Sequence, residues 1–98
     1  MKLLYETGDL LFVKDNTLRI NALKFLCIKQ DFVKTKELTE ALKVDRGKLY
    51  FHIKGLQKKG LVEFEHSMPR KVYVKITEKG KQVVEEIERN KRKVNGTS

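Results

Sequence analysis

One stretch of the sequence, from residue 46 to residue 59, combines charged and aromatic side chains in a way that could support recognition chemistry. Its candidate residues are Arg46, Lys48, Tyr50, Phe51 and Lys54. A guanidinium can donate two parallel hydrogen bonds to the O6 and N7 atoms of guanine, and ammonium groups suit phosphates. An aromatic ring can contact a thymine methyl group or fill space beside the backbone. The stretch therefore predicts a surface that binds a nucleic acid.

The charge of the chain favours the same class of partner. Its 98 residues have a formal net charge of +9, a surplus that attracts polyanions. Between residues 14 and 60, 12 basic residues stand against five acidic ones, so the surplus is concentrated around the candidate stretch. With 40% hydrophobic and 36% charged residues, the composition predicts one soluble globular domain with a modest core, over residues 1–93.

The sequence does not suggest membrane insertion, secretion or disulfide bonding. No apolar run approaches the roughly 20 residues that cross a bilayer. The first 13 residues carry Glu6 and Asp9 and lack a small-residue cleavage site, so we interpret them as part of the mature fold. Cys27 is the sole cysteine and lies in an apolar segment, which predicts a buried structural thiol. A reducing cytoplasm is the expected location.

The elements that position the candidate stretch begin with a helix that starts after Asn16 or Thr17. Its apolar residues form two stripes at helical spacing, one of Leu18, Ala22, Phe25 and Leu26 and one of Ile20, Leu23 and Cys27. Two stripes predict a central helix that is covered on both sides. The same residues also fit a helix that exposes one stripe to a partner subunit.

Two more helices follow a short segment, 32–34, that could form a one-bridge strand. Thr35 is the expected cap of the first of them, and Lys36 in its first turn is a candidate phosphate contact together with the backbone amides. Asp45 is the expected cap of the helix over the candidate stretch. Leu49, Ile53 and Leu56 recur at intervals of four and three residues, which turns them toward the core, and Gly60 is expected to end the helix.

From residue 62 onward, apolar residues recur at every second position instead of at helical spacing. This alternation predicts a hairpin over residues 62–76 with one apolar face. Its tip, 67–71, holds Arg70 and Lys71, which we expect at the adjacent minor groove or its phosphates. Thr77 is expected to cap a last helix whose apolar residues are Val83, Val84 and Ile87. So thin a stripe predicts packing on the first segment or on another subunit. Residues 94–98 are expected to form a disordered tail.

Residues 16–80 resemble the winged helix-turn-helix transcriptional regulators of the MarR-like and ArsR-like type of bacteria and archaea. The resemblance rests on LTEALKVDRGKLYFHIKGLQKKGLVE, on the basic hairpin and on ITEKG at 76–80. The positions that match the long pattern are Leu49, His52, Ile53, Leu56, Gly60, Leu61 and Val62. Tyr50 and Phe51 depart from it, because such regulators often carry small hydroxyl residues there. The resemblance implies an α+β, mainly α fold with a three-helix core, a two-stranded wing and an additional C-terminal helix.

Such regulators are dimers that bind operator DNA and control transcription, which makes a homodimer bound to double-stranded DNA the expected function. The predicted dimer contacts are Leu4, Leu10, Leu11, Val83, Val84 and Ile87. A dimer would place two reading helices about 34 Å apart, on successive major grooves of a near-palindromic operator.

Other functions have less support in the sequence. A winged-helix module could instead serve as a protein or RNA adaptor, and the Tyr50–Phe51 pair is the best argument for it. We expect no enzyme, since the chain lacks a glycine-rich phosphate loop and an evident catalytic set. We expect no cofactor and no metal site, because one cysteine and two histidines cannot build a sensor cluster. His52 is interpreted as a packing or phosphate-contacting residue, and no residue set indicates a small-molecule effector.

Overall fold

The computed structural model describes the backbone of residues 3–68 and 71–97 and the side chains of residues 3–66 and 72–89. The helices and strands follow in the order α1 (Thr7–Lys14), α2 (Thr17–Lys29), β1 (Val33–Lys34), α3 (Thr35–Leu42), α4 (Arg46–Lys58), β2 (Val62–Met68), β3 (Lys71–Ile76) and α5 (Glu78–Thr97). The predicted fold class, mainly helical α+β with a wing after the third core helix, is confirmed. None of the described helices is long and apolar enough to cross a membrane.

Side-chain caps fix the starts of α2 and α4. The Asn16 carboxamide oxygen accepts hydrogen bonds from the backbone N–H groups of Leu18 and Arg19, at 2.9 and 3.4 Å. The Asp45 carboxylate accepts one from the backbone N–H of Lys48 at 3.3 Å. Both caps agree with the sequence prediction, and they supply partners for helix-start donors that would otherwise lack them.

The start of α3 differs from the prediction. Thr35 is already the first helical residue, and the cap position is Lys34, whose side chain makes no capping hydrogen bond. Lys34 occupies this position because it also ends β1, where the extended backbone that a cap requires is imposed by pairing with β3. The prediction of a threonine cap was therefore wrong.

The core surrounds α2, which packs against α1, α3, α4, α5 and β3. Ala22, Leu23 and Leu26 of α2 are buried, whereas Phe25 and Cys27 are only partly covered and pack against the edge of the core. The burial draws on both predicted stripes and makes α2 the central helix, in agreement with the first of the two interpretations.

The wing belongs to a three-stranded antiparallel sheet in the order β1-β3-β2. The hairpin pairs Val62 with Ile76 and Phe64 with Val74, and β1 adds a short third strand through the pair Val33–Val74. A hairpin was predicted, but its pairing with the short strand was not. The valine and isoleucine side chains at these positions are buried, so the sheet closes one side of the core.

The N-terminal segment forms a helix that the sequence analysis had not assigned. A reciprocal capping box between Glu6 and Asp9 starts α1, and Val13 is completely buried against the core. Ahead of this helix, the backbone N–H of Leu4 donates to the Gln82 side chain of α5 at 2.7 Å. The N-terminal segment is thus packed against α5 within one chain.

The position of α5 bears on three of the predicted dimer contacts. Val83, Val84 and Ile87 are 0, 7 and 9% exposed within the single chain, so their apolar surface is already used in the core. These three side chains pack inside their own chain, because α5 packs on α1, α2 and β3. The helix also continues to Thr97, through the segment predicted as a disordered tail, since no proline interrupts its hydrogen bonding there.

Candidate nucleic-acid interface

Helix α4 separates its apolar and cationic residues onto opposite faces. Leu49, Ile53 and Leu56 are at most 1% exposed and fix the helix to the core. The opposite face is exposed, and it carries the residues selected from the sequence, Arg46, Lys48, Tyr50, Phe51 and Lys54. The ion pairs found among the described side chains involve none of the three cations in this set. Their charge is therefore available to an external partner.

A groove of about 540 Å³ runs beside α4, between the start of α3 and strand β3. Its floor is apolar and includes Leu49 and Val72, and its rim carries the cations of Lys34, Lys36 and Arg46. Among the residues that the structure describes, no acidic one lines it. Lys36 was selected from the sequence, but Lys34 was missed because a two-residue strand gave no sign that it would border this groove. The groove brings α3 and α4 into one positively charged surface.

Tyr50 connects the candidate reading helix to the wing. Its ring stacks on that of Phe64 in β2, with centroids 6.0 Å apart and planes 4° from parallel. The ammonium of Lys54 lies 5.7 Å from the Tyr50 ring, and His66 contacts Phe64 edge-on further along the strand. Tyr50 therefore packs against the protein on one side while 40% of it stays exposed. This stacking connects α4 to the base of the wing.

Phe51 differs from its neighbour, because 72% of it is exposed. Its ring meets the ring of His52 edge-on, at a centroid distance of 5.4 Å. It also borders a shallow depression of about 490 Å³ on the outer side of α4. The two aromatic residues that the sequence left undecided between packing and contact thus have different environments.

His52 is buried and connects α4 to α2. Its Nδ1 atom accepts a hydrogen bond from Nε of Arg19 at 3.2 Å, which requires that Nδ1 carry no proton. Burial lowers the pKa of His52, and the charges of Arg19 and then Lys48 lower it further. Packing is one of the two roles considered for His52, and its burial and its hydrogen bond with Arg19 agree with that role.

Arg19 was not singled out in the sequence, yet it joins three helices. Besides His52, its guanidinium donates to the backbone carbonyl of Phe12 at 2.8 Å and lies 3.9 Å from the centre of the Phe12 ring. That ring in turn faces Gly55 of α4, where an added Cβ would come within 2.9 Å of Phe12 Cζ. The glycine thus lets α1 approach the back of α4. Only the folded chain brings these positions together, and no sequence spacing indicates them.

A second junction holds the C-terminal end of α4. The Lys79 ammonium lies 3.0 Å from the Asp9 carboxylate and donates to the backbone carbonyl of Lys59, the C-cap of α4, at 2.7 Å. Burial raises the pKa of Asp9, but the hydrogen bond from the backbone N–H of Glu6 and the pairing with Lys79 outweigh it and lower the pKa overall. The carboxylate is therefore charged at neutral pH, and the junction joins α1, α4 and α5.

The predicted contacts at the tip of the wing fall outside the described part of the chain. Arg70 is not described, and for Lys71 only the backbone is, as the first residue of β3. Among the side chains that are described, no group of three or more His, Cys, Asp and Glu residues could hold a metal ion.

Comparisons with known proteins agree with this geometry. Residues 18–92 match the family model of the winged helix DNA-binding domain. A solved structure of MepR, a transcription regulator of the Staphylococcus aureus multidrug efflux pump MepA, superposes with a TM-score of 0.76 at 18% identity over 84% of this chain. The chain spans 62% of that protein. A search of curated proteins found no match.

Two similar structures contain DNA. A Staphylococcus aureus MepR–DNA complex superposes with a TM-score of 0.77 at 17% identity, over 92% of this chain and 75% of that one. A mutant MarR from E. coli, complexed with operator DNA, gives a TM-score of 0.65 at 27% identity, over 72% of this chain and 51% of that one. The family match covers most of the sequence, so the chain belongs to the winged helix DNA-binding domain family.

Proposed function

We propose that this protein is a transcription regulator that binds double-stranded DNA sequence-specifically. The observation that carries the proposal is the two-faced α4, with Leu49, Ile53 and Leu56 buried and a cationic side exposed. The helix contains no acidic residue, and its exposed cations are free of the ion pairs found in the described part of the chain. Such a surface fits a polyanion with an accessible groove.

In this proposal α4 enters the major groove with its first turn nearest the base edges. Arg46 lies at the start of the helix, where a guanidinium can pair with O6 and N7 of guanine. Lys48 and Lys54 then contact phosphates, as does Lys36 at the start of α3. The wing tip, with Arg70 and Lys71, lies at the adjacent minor groove or backbone. The DNA complexes of MepR and MarR support this choice of partner.

We propose that two copies bind a near-palindromic operator as a homodimer. Because Val83, Val84 and Ile87 are buried in their own chain, the more accessible candidate contacts are N-terminal, namely Leu4, Leu10 and Leu11. Leu4 and Leu11 are 50 and 58% exposed, and Leu10 is half-buried. The hydrogen bond from Leu4 to Gln82 holds this apolar surface beside α5. The proposed role is regulatory and not catalytic, and the proposed location is the cytoplasm. No small-molecule effector is proposed.

The DNA proposal is tested by selecting bound duplexes from a random pool and titrating the selected duplex. Arg46→Ala should lose about 1–3 kcal/mol of binding free energy and relax the preference at one base pair, whereas Lys54→Ala should weaken all duplexes similarly. Lys81→Ala is a matched control, because it also removes one charge but lies on α5 in a surface pair with Glu78. Parent-like affinity of the Arg46 and Lys54 variants would refute the assignment of α4.

Salt dependence separates DNA binding from the adaptor function. Phosphate contacts release counterions, so the affinity for the selected duplex should fall steeply between 50 and 200 mM salt, by about 10³-fold for six contacts. Binding of another macromolecule that persists at high salt and is not displaced by duplex DNA would support the adaptor instead.

The dimer proposal is tested by measuring the mass of the free protein in solution. Replacing Leu4 and Leu11 together by serine should shift the protein toward the monomer, since both are exposed apolar side chains of the same segment. Ile28→Ser is the control, because Ile28 is 80% exposed on a different helix, α2. A parent that is monomeric at all concentrations, with or without operator, would contradict the proposal.

A further inference from the structure

Phe51 has an exposure that the fold alone does not explain. The large aliphatic residues of α4, Leu49, Ile53 and Leu56, are buried. The neighbouring Tyr50 is stacked on Phe64, but the Phe51 ring is 72% exposed. Leaving a phenyl ring in water forgoes most of the favourable free energy that its burial would provide. What distinguishes the ring from other exposed apolar side chains is its place on the face of α4 that carries Lys48 and Lys54, the face that the proposed complex turns toward DNA.

The surroundings of Phe51 restrict the chemistry of that partner. Lys48 precedes it by three residues and Lys54 follows it by three, so both lie on the same face of α4. The depression beside the ring is lined by further basic side chains, Arg19 and Lys58, and by no acidic residue of the described part of the chain. A partner that fits these surroundings presents an apolar group surrounded by negatively charged groups. A purely apolar surface lacks the negative charge, and a cationic surface would be repelled.

Phe51 shares its depression with Gly47 of the first turn of α4, the end that leads in the proposed complex. A helical side chain covers the turn on the N-terminal side of its own Cα, which for Phe51 is the turn of Gly47 and Lys48. Gly47 has no side chain to occupy this space. The depression that the ring borders therefore reaches the first turn of α4, where base edges are read.

From these observations we infer that Phe51 recognises the 5-methyl group of a pyrimidine in the major groove, a thymine in unmodified DNA. This deepens the proposed function and depends on it. In the major groove the methyl group of thymine is the apolar feature that distinguishes one base pair from the others, and it lies between two rows of phosphates. A phenyl ring flanked by lysines matches that combination of apolar and anionic groups. Phe51 is thus a specificity residue, and Lys48 and Lys54 act on the backbone around it.

The inference is tested with the duplex selected by the parent protein. Each thymine is replaced in turn by deoxyuridine, which removes the methyl group and keeps the base-pairing edge. At one position in each half-site the Kd of the parent should rise by about fourfold, the factor expected for one buried methyl group. Phe51→Ala should bind the parent duplex more weakly and show no penalty at that position. Lys54→Ala should weaken binding to both duplexes and keep the penalty.

The outcomes separate this inference from the proposed function. If the parent binds all deoxyuridine duplexes equally, or if Phe51→Ala retains the same penalty, methyl recognition by Phe51 is refuted while DNA binding stands. If no duplex can be selected at all, both fail. Circular dichroism and the Tm of Phe51→Ala should match the parent, because the ring is exposed, so a loss of the methyl preference would not come from unfolding.

Discussion

Gly80, in the first turn of α5, should not tolerate a side chain. A Cβ at this position would overlap the backbone carbonyl oxygen of Leu61 and lie 2.7 Å from Cγ1 of Ile76. Neither neighbour can move freely, because both are buried and the same Leu61 oxygen accepts a hydrogen bond from the backbone N–H of Thr77 at 3.0 Å. The glycine is thus required by the close approach of α5 to the segment that follows α4.

The magnitude follows from two opposing effects. Overpacking a well-filled core costs about 1–3 kcal/mol, and a fixed backbone atom puts this position at the upper end. Replacing a helical glycine by alanine returns about 0.5–1 kcal/mol. Gly80→Ala should therefore lower the free energy of unfolding by about 2 kcal/mol. For a domain of this size, that corresponds to a decrease in Tm of roughly 8–15 °C.

Gly8→Ala provides the matched control, because Gly8 also lies in the first turn of a helix but a Cβ there would meet nothing within 4 Å. This variant should gain up to about 1 kcal/mol from helix propensity. Thermal and urea unfolding of both variants measures the difference directly. A Gly80→Ala protein as stable as the parent would refute the close approach of α5 to Leu61, and with it the positioning of α5.

Two further predictions concern pH and the junctions behind α4. Because the pKa of His52 is lowered in the folded state, the unfolded chain takes up a proton first, so the free energy of unfolding should fall as pH decreases through 6.5, the ordinary value for histidine. His52→Gln should reduce this decline in urea unfolding between pH 7.5 and 5.5, and an unchanged slope would contradict the buried, neutral state. Asp9→Asn should cost about 1–3 kcal/mol at pH 7, since it leaves Lys79 without its carboxylate. The lowered pKa of Asp9 means that its contribution is present above 3.8 and is lost as pH falls further, so parent and variant should converge there, and a constant difference would contradict it.

Features that depend on local periodicity were predictable from the sequence. The inward face of α4 follows from the spacing of Leu49, Ile53 and Leu56, and the caps at Asn16 and Asp45 follow from residue type just ahead of a helical pattern. The change from helical to alternating period located the hairpin. These signals lie within a few residues of one another, so the sequence alone contains them.

Features that depend on tertiary packing were not predictable in the same way. The thin apolar stripe of α5 was compatible with either an internal or an intermolecular partner, and only the fold shows that Val83 is buried in its own chain. The contacts of Arg19 with His52 and of Lys79 with Asp9 join residues 33 and 70 positions apart in the sequence. Basic residues are frequent in this chain, so nothing in the sequence distinguished Arg19 and Lys79 from basic residues that only face solvent.

The pairing of β1 with β3 has a mechanical consequence for recognition. Lys34 is at once the partner of Tyr73 in the sheet and the residue from which α3 starts, so a rigid ladder connects the base of the wing to the helix pair. The wing and the helix pair α3–α4 therefore have their relative positions set before DNA binds. Binding to a duplex then loses less conformational entropy, because these elements need not become ordered. A slip of one residue in the pairing of β1 with β3 would turn Val33 toward solvent and Lys34 toward the core. Such a slip would displace the start of α3, and with it Lys36, relative to the wing.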